Sequence, residues 1–382
     1  VWRDAATWAG GSARTADTTS EYYGHDGPQL VTGWHGLDFV TSGRSTLFWP
    51  DLVRLDDDTL LAVYGFATGT DQFLFASYDP STGAWTKTAA QIDSQDWNST
   101  AVSILQLPRA SGDANGDLLL YFDSRSGDQV SVARSTDLGA TWAIAGRHVL
   151  GTTTGGTIVN LRARYSGGQV LLLAQWTSSG AETLDQYVST DGRGVTFDQV
   201  EADTENTLSE EMELPNIIPI SGGGFIVATH DPDASAPRVN YRRLGSGGSK
   251  ITDAAIDTAS HAAAVPASSP GLTLFRDEDG ALNAYSFNDG TLQDLALVRS
   301  TDEGATWTTI AELISMDRWD TGTPSPRTPE VYPHTFAAEM IGGRIFMLTR
   351  WKDNAASSGA FDPHSIAVIE IGGYSRHTAP AH

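Results

Sequence analysis

The sequence contains no cysteine in 382 residues. That excludes a disulfide framework, a thiol nucleophile and a thiolate metal site. Lysine is scarce, with 3 against 21 arginines, while 34 of the 47 acidic residues are aspartate. Such a balance suits a high-salt or extracellular setting, although Asp-rich turns and biased codon usage give the same composition. No apolar run approaches the roughly 18 residues that a membrane-crossing helix needs, so membrane insertion is not expected. No segment carries a convincing helical period. The net charge of −23 argues against direct contact with nucleic acid or anionic lipid. No signal peptide is evident, and the chain opens on Val1 rather than Met, as expected of a processed chain or a piece of a longer one.

What is present is a repeat. Ser135-Thr136-Asp137-Leu138-Gly139-Ala140-Thr141-Trp142 returns as Ser300-Thr301-Asp302-Glu303-Gly304-Ala305-Thr306-Trp307. A copy one residue longer runs from Ser189 to Phe197, and a degraded one from Ser77 to Trp85. Each has Ser-x-Asp, a turn with glycine, then an aromatic residue. Short Asp and Ser side chains bond backbone N–H groups about two residues on and close a turn. Glycine supplies the left-handed position, and the aromatic anchors the following strand.

The first serines stand at 77, 135, 189 and 300, so the steps are 58, 54 and 111. The last step is about double, which places an unmarked copy near Leu244. A period of this size signals a repeat architecture, and four short strands per repeat fit a propeller blade. Between residues 47 and 371 the chain reads as six such units, and the second strand of most is nearly all apolar, as when both faces are covered. The sixth unit lacks an obvious fourth strand. The expected fold is all-β: a single six-bladed β-propeller over residues 1–382, with four antiparallel strands per blade. Residues 48–374 form the blades, and part of 1–47 supplies the missing strand so that no sheet edge stays open. Seven blades, with 1–47 as a partial blade, is the alternative. With 40% hydrophobic residues and 11 Trp, 11 Tyr and 13 Phe, a large core needs no metal or disulfide.

The four turns resemble the Asp-box, or bacterial neuraminidase repeat, of sialidases and their relatives. The resemblance implies that Asp137, Asp191 and Asp302 are structural, on the face away from any ligand. It extends to the stretch from Trp49 to Ala62, which is similar to the first sialidase blade. Phe48-Trp49-Pro50 stands where that blade has Arg-Ile-Pro, so the first of the three arginines that clamp a substrate carboxylate is missing. Glu213 matches the glutamate that activates the nucleophilic tyrosine. His230 stands at the second arginine, no third appears near Phe287-Asn288-Asp289, and His334 takes the tyrosine position, with Tyr332 two residues earlier. The scaffold is sialidase-like; the arginine triad is not retained.

Propellers bind ligands where inner strands converge. The ligand-binding candidates there are Trp49, Asp51, Arg162, Arg164, Asp231, Arg350 and Trp351, with rings to stack on sugars and charges to bond hydroxyls. The leading expectation is an extracellular carbohydrate-recognising module, secreted or on a cell or virion surface. A glycoside hydrolase would need paired carboxylates, here Glu213 with Asp51 or Asp231. A polysaccharide lyase would use His230, His334 and Tyr332 as base and acid. A purely structural propeller is the plainest option. No metal motif or cofactor is expected; Asp113-Ala114-Asn115-Gly116-Asp117 is a fragment of a calcium-loop pattern, and an Asp-rich turn of this kind is where a structural Ca²⁺ would sit. The sequence leaves oligomeric state open. Trp142→Ala and Trp307→Ala are expected to destabilise by roughly 3–5 kcal/mol if their rings are fully buried, a loss that urea denaturation would measure.

Overall fold

The computed structural model describes residues 30–39, 50–67, 72–92, 101–111, 115–123, 129–150, 157–178, 181–201, 213–220, 223–231, 238–245, 250–255, 272–287, 294–304, 306, 308–315, 334–352 and 364–372. The regular elements among them are β-strands, so the all-β expectation holds. No helix among the described residues is long and apolar enough to cross a membrane.

The chain divides into two compact units. Residues Val1–Ser42 and Thr258–His382 make one, which holds two sheets. Its N-terminal strand β1 (Leu30–Phe39) belongs to the second of them, described below. Gly43–Asp257 makes the other unit, with four sheets of consecutive antiparallel strands. The first sheet is β2 (Asp51–Arg54), β3 (Leu60–Ala67), β4 (Gln72–Asp79) and β5 (Ala84–Gln91). The second is β6 (Val102–Gln106), β7 (Leu118–Asp123), β8 (Gln129–Ser135) and β9 (Ala143–Val149). The third is β10 (Thr157–Ser166), β11 (Gln169–Ser178), β12 (Ala181–Ser189) and β13 (Phe197–Glu201). The fourth is β14 (Glu213–Pro219), β15 (Phe225–Asp231), β16 (Arg238–Leu244) and β17 (Lys250–Ala255).

Side-chain alternation explains how these sheets stack. β7 is buried at every position. Its Leu118, Leu120 and Phe122 join Leu61, Val63, Phe73 and Phe75 of the first sheet. Its Leu119 and Tyr121 turn the other way, to Val170, Leu172 and Tyr187 of the third. The third sheet then offers Leu171, Leu173 and Leu184 to Ile217, Phe225 and Val227 of the fourth. Successive residues point to opposite faces, so a continuous apolar run is what a sheet covered on both sides requires. Each large side chain buried in this way contributes about 1.5–3 kcal/mol. The outermost strand β5 is mostly exposed and adds pairing rather than core.

In the other unit, β18 (Leu272–Arg276), β19 (Leu282–Phe287), β20 (Asp294–Ser300) and β21 (Thr308–Ser315) form one meander. The second sheet has the order β1, β24 (His364–Gly372), β23 (Arg344–Lys352), β22 (His334–Ile341). Its outermost strand therefore comes from the N-terminal segment, with Trp34 opposite Ile369 and His35 opposite Val368.

The repeated turns join third strands to fourth strands. In the first copy Ser135 Oγ donates to Asp137 Oδ1 at 2.7 Å and accepts from Gly139 N at 2.9 Å. Asp137 accepts from Thr141 N at 2.8 Å and from Thr141 Oγ1 at 2.6 Å. The second copy repeats this: Ser300 to Asp302 at 2.7 Å, Gly304 N to Ser300 at 2.8 Å, and Thr306 to Asp302 at 2.8 and 2.6 Å. The aspartate reaches four residues on, further than the two expected from sequence. Two successive left-handed residues curl the chain back to it, Leu138 (φ 55°) with Gly139 (φ 89°), and Glu303 (φ 57°) with Gly304 (φ 83°). In the looser copies the shorter reach is the tighter one: Asp79 accepts from Ser81 N at 2.8 Å, and Asp191 from Arg193 N at 2.9 Å and from Val195 N at 3.4 Å. Residues 246–249, beside the unmarked copy near Leu244, lie outside the described residues.

Links between neighbouring sheets sit beside these turns. Tyr121 Oη donates to Gly194 O at 2.9 Å, tying the second sheet to the turn of the third. Asp56 N donates to Gln106 Oε1 at 2.8 Å, and Gly116 N donates to Asp56 Oδ2 at 3.0 Å.

Trp142 is half-buried rather than fully buried, stacked on Phe75 with ring centroids 5.4 Å apart, and its Nε1 donates to Gly139 O at 3.1 Å. The expected loss for Trp142→Ala is accordingly about 2–3 kcal/mol, read by urea denaturation, below the figure for a fully buried ring. Trp307 lies outside the described residues. Hydrogen bonds from the Thr306 side chain and backbone, then from Ser300, lower the Asp302 carboxyl to about 2. Its stabilisation is therefore complete above the unfolded-state value of about 3.9 and is lost as pH falls through about 2. Melting temperature against pH should show Asp302→Asn flattening part of the acid limb while leaving neutral-side behaviour unchanged in slope.

Candidate functional site

The turns fix which end of each sheet to search. They join the third strand to the fourth, so the first strand begins, and the second ends, at the opposite end of the same sheet. Asp51 begins β2, Glu213 begins β14, and His230 and Asp231 end β15.

In the four-sheet unit, three first strands converge on one carboxylate. Asp51 is fully buried. Arg164 grips it with both terminal nitrogens, NH1 to Oδ2 and NH2 to Oδ1, each at 2.9 Å. Ser103 Oγ donates to Oδ2 at 2.6 Å, Ile104 N to Oδ2 at 3.0 Å, and Leu52 N to Oδ1 at 2.9 Å. Ser103 in turn accepts from Ala163 N at 2.9 Å. A short Asp at the start of β2 thus meets β6 and β10 at once, in the fork geometry that suits guanidinium to carboxylate.

Arg162, two residues earlier on β10, is also buried. It donates to backbone carbonyls: Leu161 O at 2.9 Å, and Val102 O and Pro50 O at 3.4 Å. Its Nε has no partner. Leu161 and Ala163 pack into the core shared with the second sheet. Asn160, Arg162 and Arg164 therefore share the opposite face of β10. Asn160 is fully buried, and neither its Oδ1 nor its Nδ2 has a partner.

The electrostatics follow from this packing. Burial pushes the Asp51 carboxyl up, but the Arg164 charge and hydrogen bonds, with Arg162 and Ser103, bring it below the ordinary value. Burial lowers Arg162 to about 10, against the pull of Asp51 and with the help of like-charged Arg164. Both stay ionised at neutral pH, which leaves two guanidiniums around one carboxylate.

Of the sequence candidates, Asp51, Arg162 and Arg164 come together. Asp51 and Arg162 do so as buried connectors between strands, and Arg164, 19% exposed, is the member that reaches solvent. Glu213 and His230 are backbone partners across β14 and β15, with Asp231 next to His230. In the other unit His334 pairs with Arg350 across β22 and β23, with Trp351 adjacent. Trp49 and Tyr332 lie outside the described residues. Among the described residues no group of three or more His, Cys, Asp or Glu is placed to hold a metal ion. Of the calcium-loop fragment, Asp113 and Ala114 lie outside the described residues, Asp117 pairs with Arg134, and Gly116 N donates to Asp56. Sequence reasoning passed over Ser103 and Asn160. Ser103 carries no local signal, whereas Asn160 continues the alternate row of Arg162 and Arg164.

Removing the charge of Asp51 leaves buried Arg162 and part-buried Arg164 without their shared anion. Asp51→Asn should lower stability by about 3–5 kcal/mol, measured by denaturant unfolding at neutral pH, where the native carboxylate is ionised.

No protein family's sequence pattern matches the chain, and no curated protein matches it. Solved structures do. A protein of unknown function from Dyadobacter fermentans is similar over 88% of this chain and 99% of its own, at 13% identity and a TM-score of 0.53. NanB sialidase of Streptococcus pneumoniae is similar over 88% of this chain and 70% of its own, at 10% identity and a TM-score of 0.53. Aleuria aurantia lectin, solved in complex with Fucα1-6GlcNAc, is similar over 86% and 97%, at 11% identity and a TM-score of 0.52. At these identities the likeness shows the fold, an all-β propeller.

Proposed function

We propose that this chain is an extracellular carbohydrate-recognising propeller that binds glycan without cleaving it. The observation that carries the choice of binding over hydrolysis is the state of Asp51. A hydrolase pairing Glu213 with Asp51 would need an accessible carboxyl of raised pKa for acid catalysis. Asp51 is fully buried, held bidentately by Arg164 and lowered instead. The sequence at the sialidase arginine positions, Phe48-Trp49-Pro50 and His230, points the same way. Two similar structures, a sialidase and a lectin bound to a saccharide, make sugar the natural ligand class for the scaffold.

In this reading the four Ser-x-Asp turns are Asp-boxes, and residues 1–382 form one domain of six blades with four strands each. Within each unit the binding surface lies where first strands begin and second strands end: Glu213, His230 and Asp231 stand there in the four-sheet unit, and His334, Arg350 and Trp351 in the other. The charge of −23 makes nucleic acid an unsuitable partner. Recognition of this kind needs no cofactor.

A glycan array combined with turnover assays on anionic polysaccharides tests the reading. Retention of a defined glycan set, without new reducing ends or unsaturated products, is expected. Reducing ends would establish a hydrolase instead, and unsaturated products a lyase. An array with no retained glycan would remove carbohydrate altogether.

A further inference from the structure

The connection between β6 and β7 carries Asn115-Gly116, the dipeptide type in which asparagine most readily loses its side-chain amide. The glycine is there for a packing reason. Gly116 is buried, and a Cβ on it would stand 1.8 Å from Leu107 O. Backbone therefore excludes any side chain at this position. The residue that permits the close approach also leaves its own nitrogen without a side chain to shield it.

The fold restrains that nitrogen. Gly116 N donates to Asp56 Oδ2 at 3.0 Å, across to the turn of the first sheet. Gly116 O accepts from Gln106 Nε2 at 3.1 Å, and Gln106 Oε1 accepts from Asp56 N at 2.8 Å, so one amide side chain ties both residues. Asp117 O accepts from Leu107 N at 2.8 Å, and the Asp117 carboxylate pairs with Arg134. Attack on the Asn115 side chain requires the Gly116 nitrogen to lose its proton and turn toward Asn115 Cγ. Both are opposed while the N–H points at a carboxylate. Carboxylates are too weak as bases to remove an amide proton, so Asp56 holds the nitrogen rather than activating it.

We propose that Asn115 is a deamidation site whose rate is set by opening of the Asp56–Gly116 hydrogen bond between the first and second sheets. In the open state Gly116 N bonds to Asn115 Cγ. The Cγ–Nδ2 bond breaks, and ammonia leaves with the proton given up by the Gly116 nitrogen, closing a succinimide. Water then opens the ring at either carbonyl, giving aspartate or isoaspartate. No oxidant or reactant other than water is needed. Isoaspartate adds a methylene to the main chain just before the pinned stretch, and either product adds a negative charge near Asp117. The proposal is independent of the carbohydrate reading.

The test follows conversion in the whole chain at mildly alkaline pH, by mass spectrometry of the tryptic peptide 110–125, in which Asn115 is the only side-chain amide. Labelling by an isoaspartyl methyltransferase separates the two products. The folded chain should convert at least about tenfold more slowly than a synthetic peptide of the same residues, since several hydrogen bonds must open first. Asp56→Ala should speed the folded chain about three- to tenfold, the factor for one lost hydrogen bond. Asp57→Ala removes a carboxylate of the same turn that bonds Thr59 instead, and should stay near the parent rate. A cooperative melting transition shows that each variant folds. Should Asp56→Ala fail to fold, amide hydrogen exchange at Gly116 and conversion of Asn115 are compared in the parent chain across sub-denaturing urea, where both should rise together.

A synthetic peptide that does not convert overturns the site. A folded chain that converts as fast as the peptide overturns its restraint by the fold. Asp56→Ala at or below the parent rate, or matched by Asp57→Ala, overturns the role of the Asp56–Gly116 bond. Exchange at Gly116 that rises with urea while conversion stays flat does the same.

Discussion

A four-stranded sheet that is apolar on both faces cannot stand alone in water, and that constraint organises this protein. β7 shows it most plainly: Leu118, Leu120 and Phe122 serve one neighbour while Leu119 and Tyr121 serve the other. Every sheet so built demands another on each side. The repeat is the chemical answer to that demand, one similar sheet after another. The turns contribute little burial themselves. Their hydrogen bonds are local, and they set where the third strand hands over to the fourth.

Against this apolar stacking, the junction of the first strands is polar and charged. Asp51 receives donors from its own strand, from Ser103 and Ile104 on β6, and from Arg164 on β10. A buried ion pair is weak evidence for stability taken by itself, because desolvation offsets much of the attraction. Its geometric effect is clearer. A carboxylate with five donors has few alternative arrangements, so the three strands are fixed in one relative register. Arg164, the member of this cluster that reaches solvent, is held in place by the same contacts.

How much of this could be read from sequence depended on the range of the interactions. The Ser135–Trp142 turn was legible because its partners lie within a few residues, and the all-β architecture followed from its spacing. The depth of Asp137's reach was not, since it requires left-handed backbone at Leu138, a residue that does not advertise it. Arg162 and Arg164 could be picked out as charged residues in an apolar strand. That Asp51 would be sealed beneath them was invisible, because the contacts span 113 residues. Ser103 and Asn160 were missed for related reasons: a serine in a strand is commonplace, and an orphaned amide is a property of its surroundings. Trp142 is half-buried because an aromatic after a turn can stack on one ring, here Phe75, without being enclosed.

The outer strands differ from the inner ones in one further way. β5 is largely exposed and carries polar residues such as Lys87 and Thr88, so it attaches by backbone pairing to β4 more than by side-chain burial. The sheet of β22, β23 and β24 already takes its outermost strand from a distant part of the chain, β1. An outer strand therefore has no need to follow its sheet in sequence. Circular permutation exploits this property: new termini opened between a third and a fourth strand would leave the same pairs to form, with the fourth strand returning from the other end of the rearranged chain.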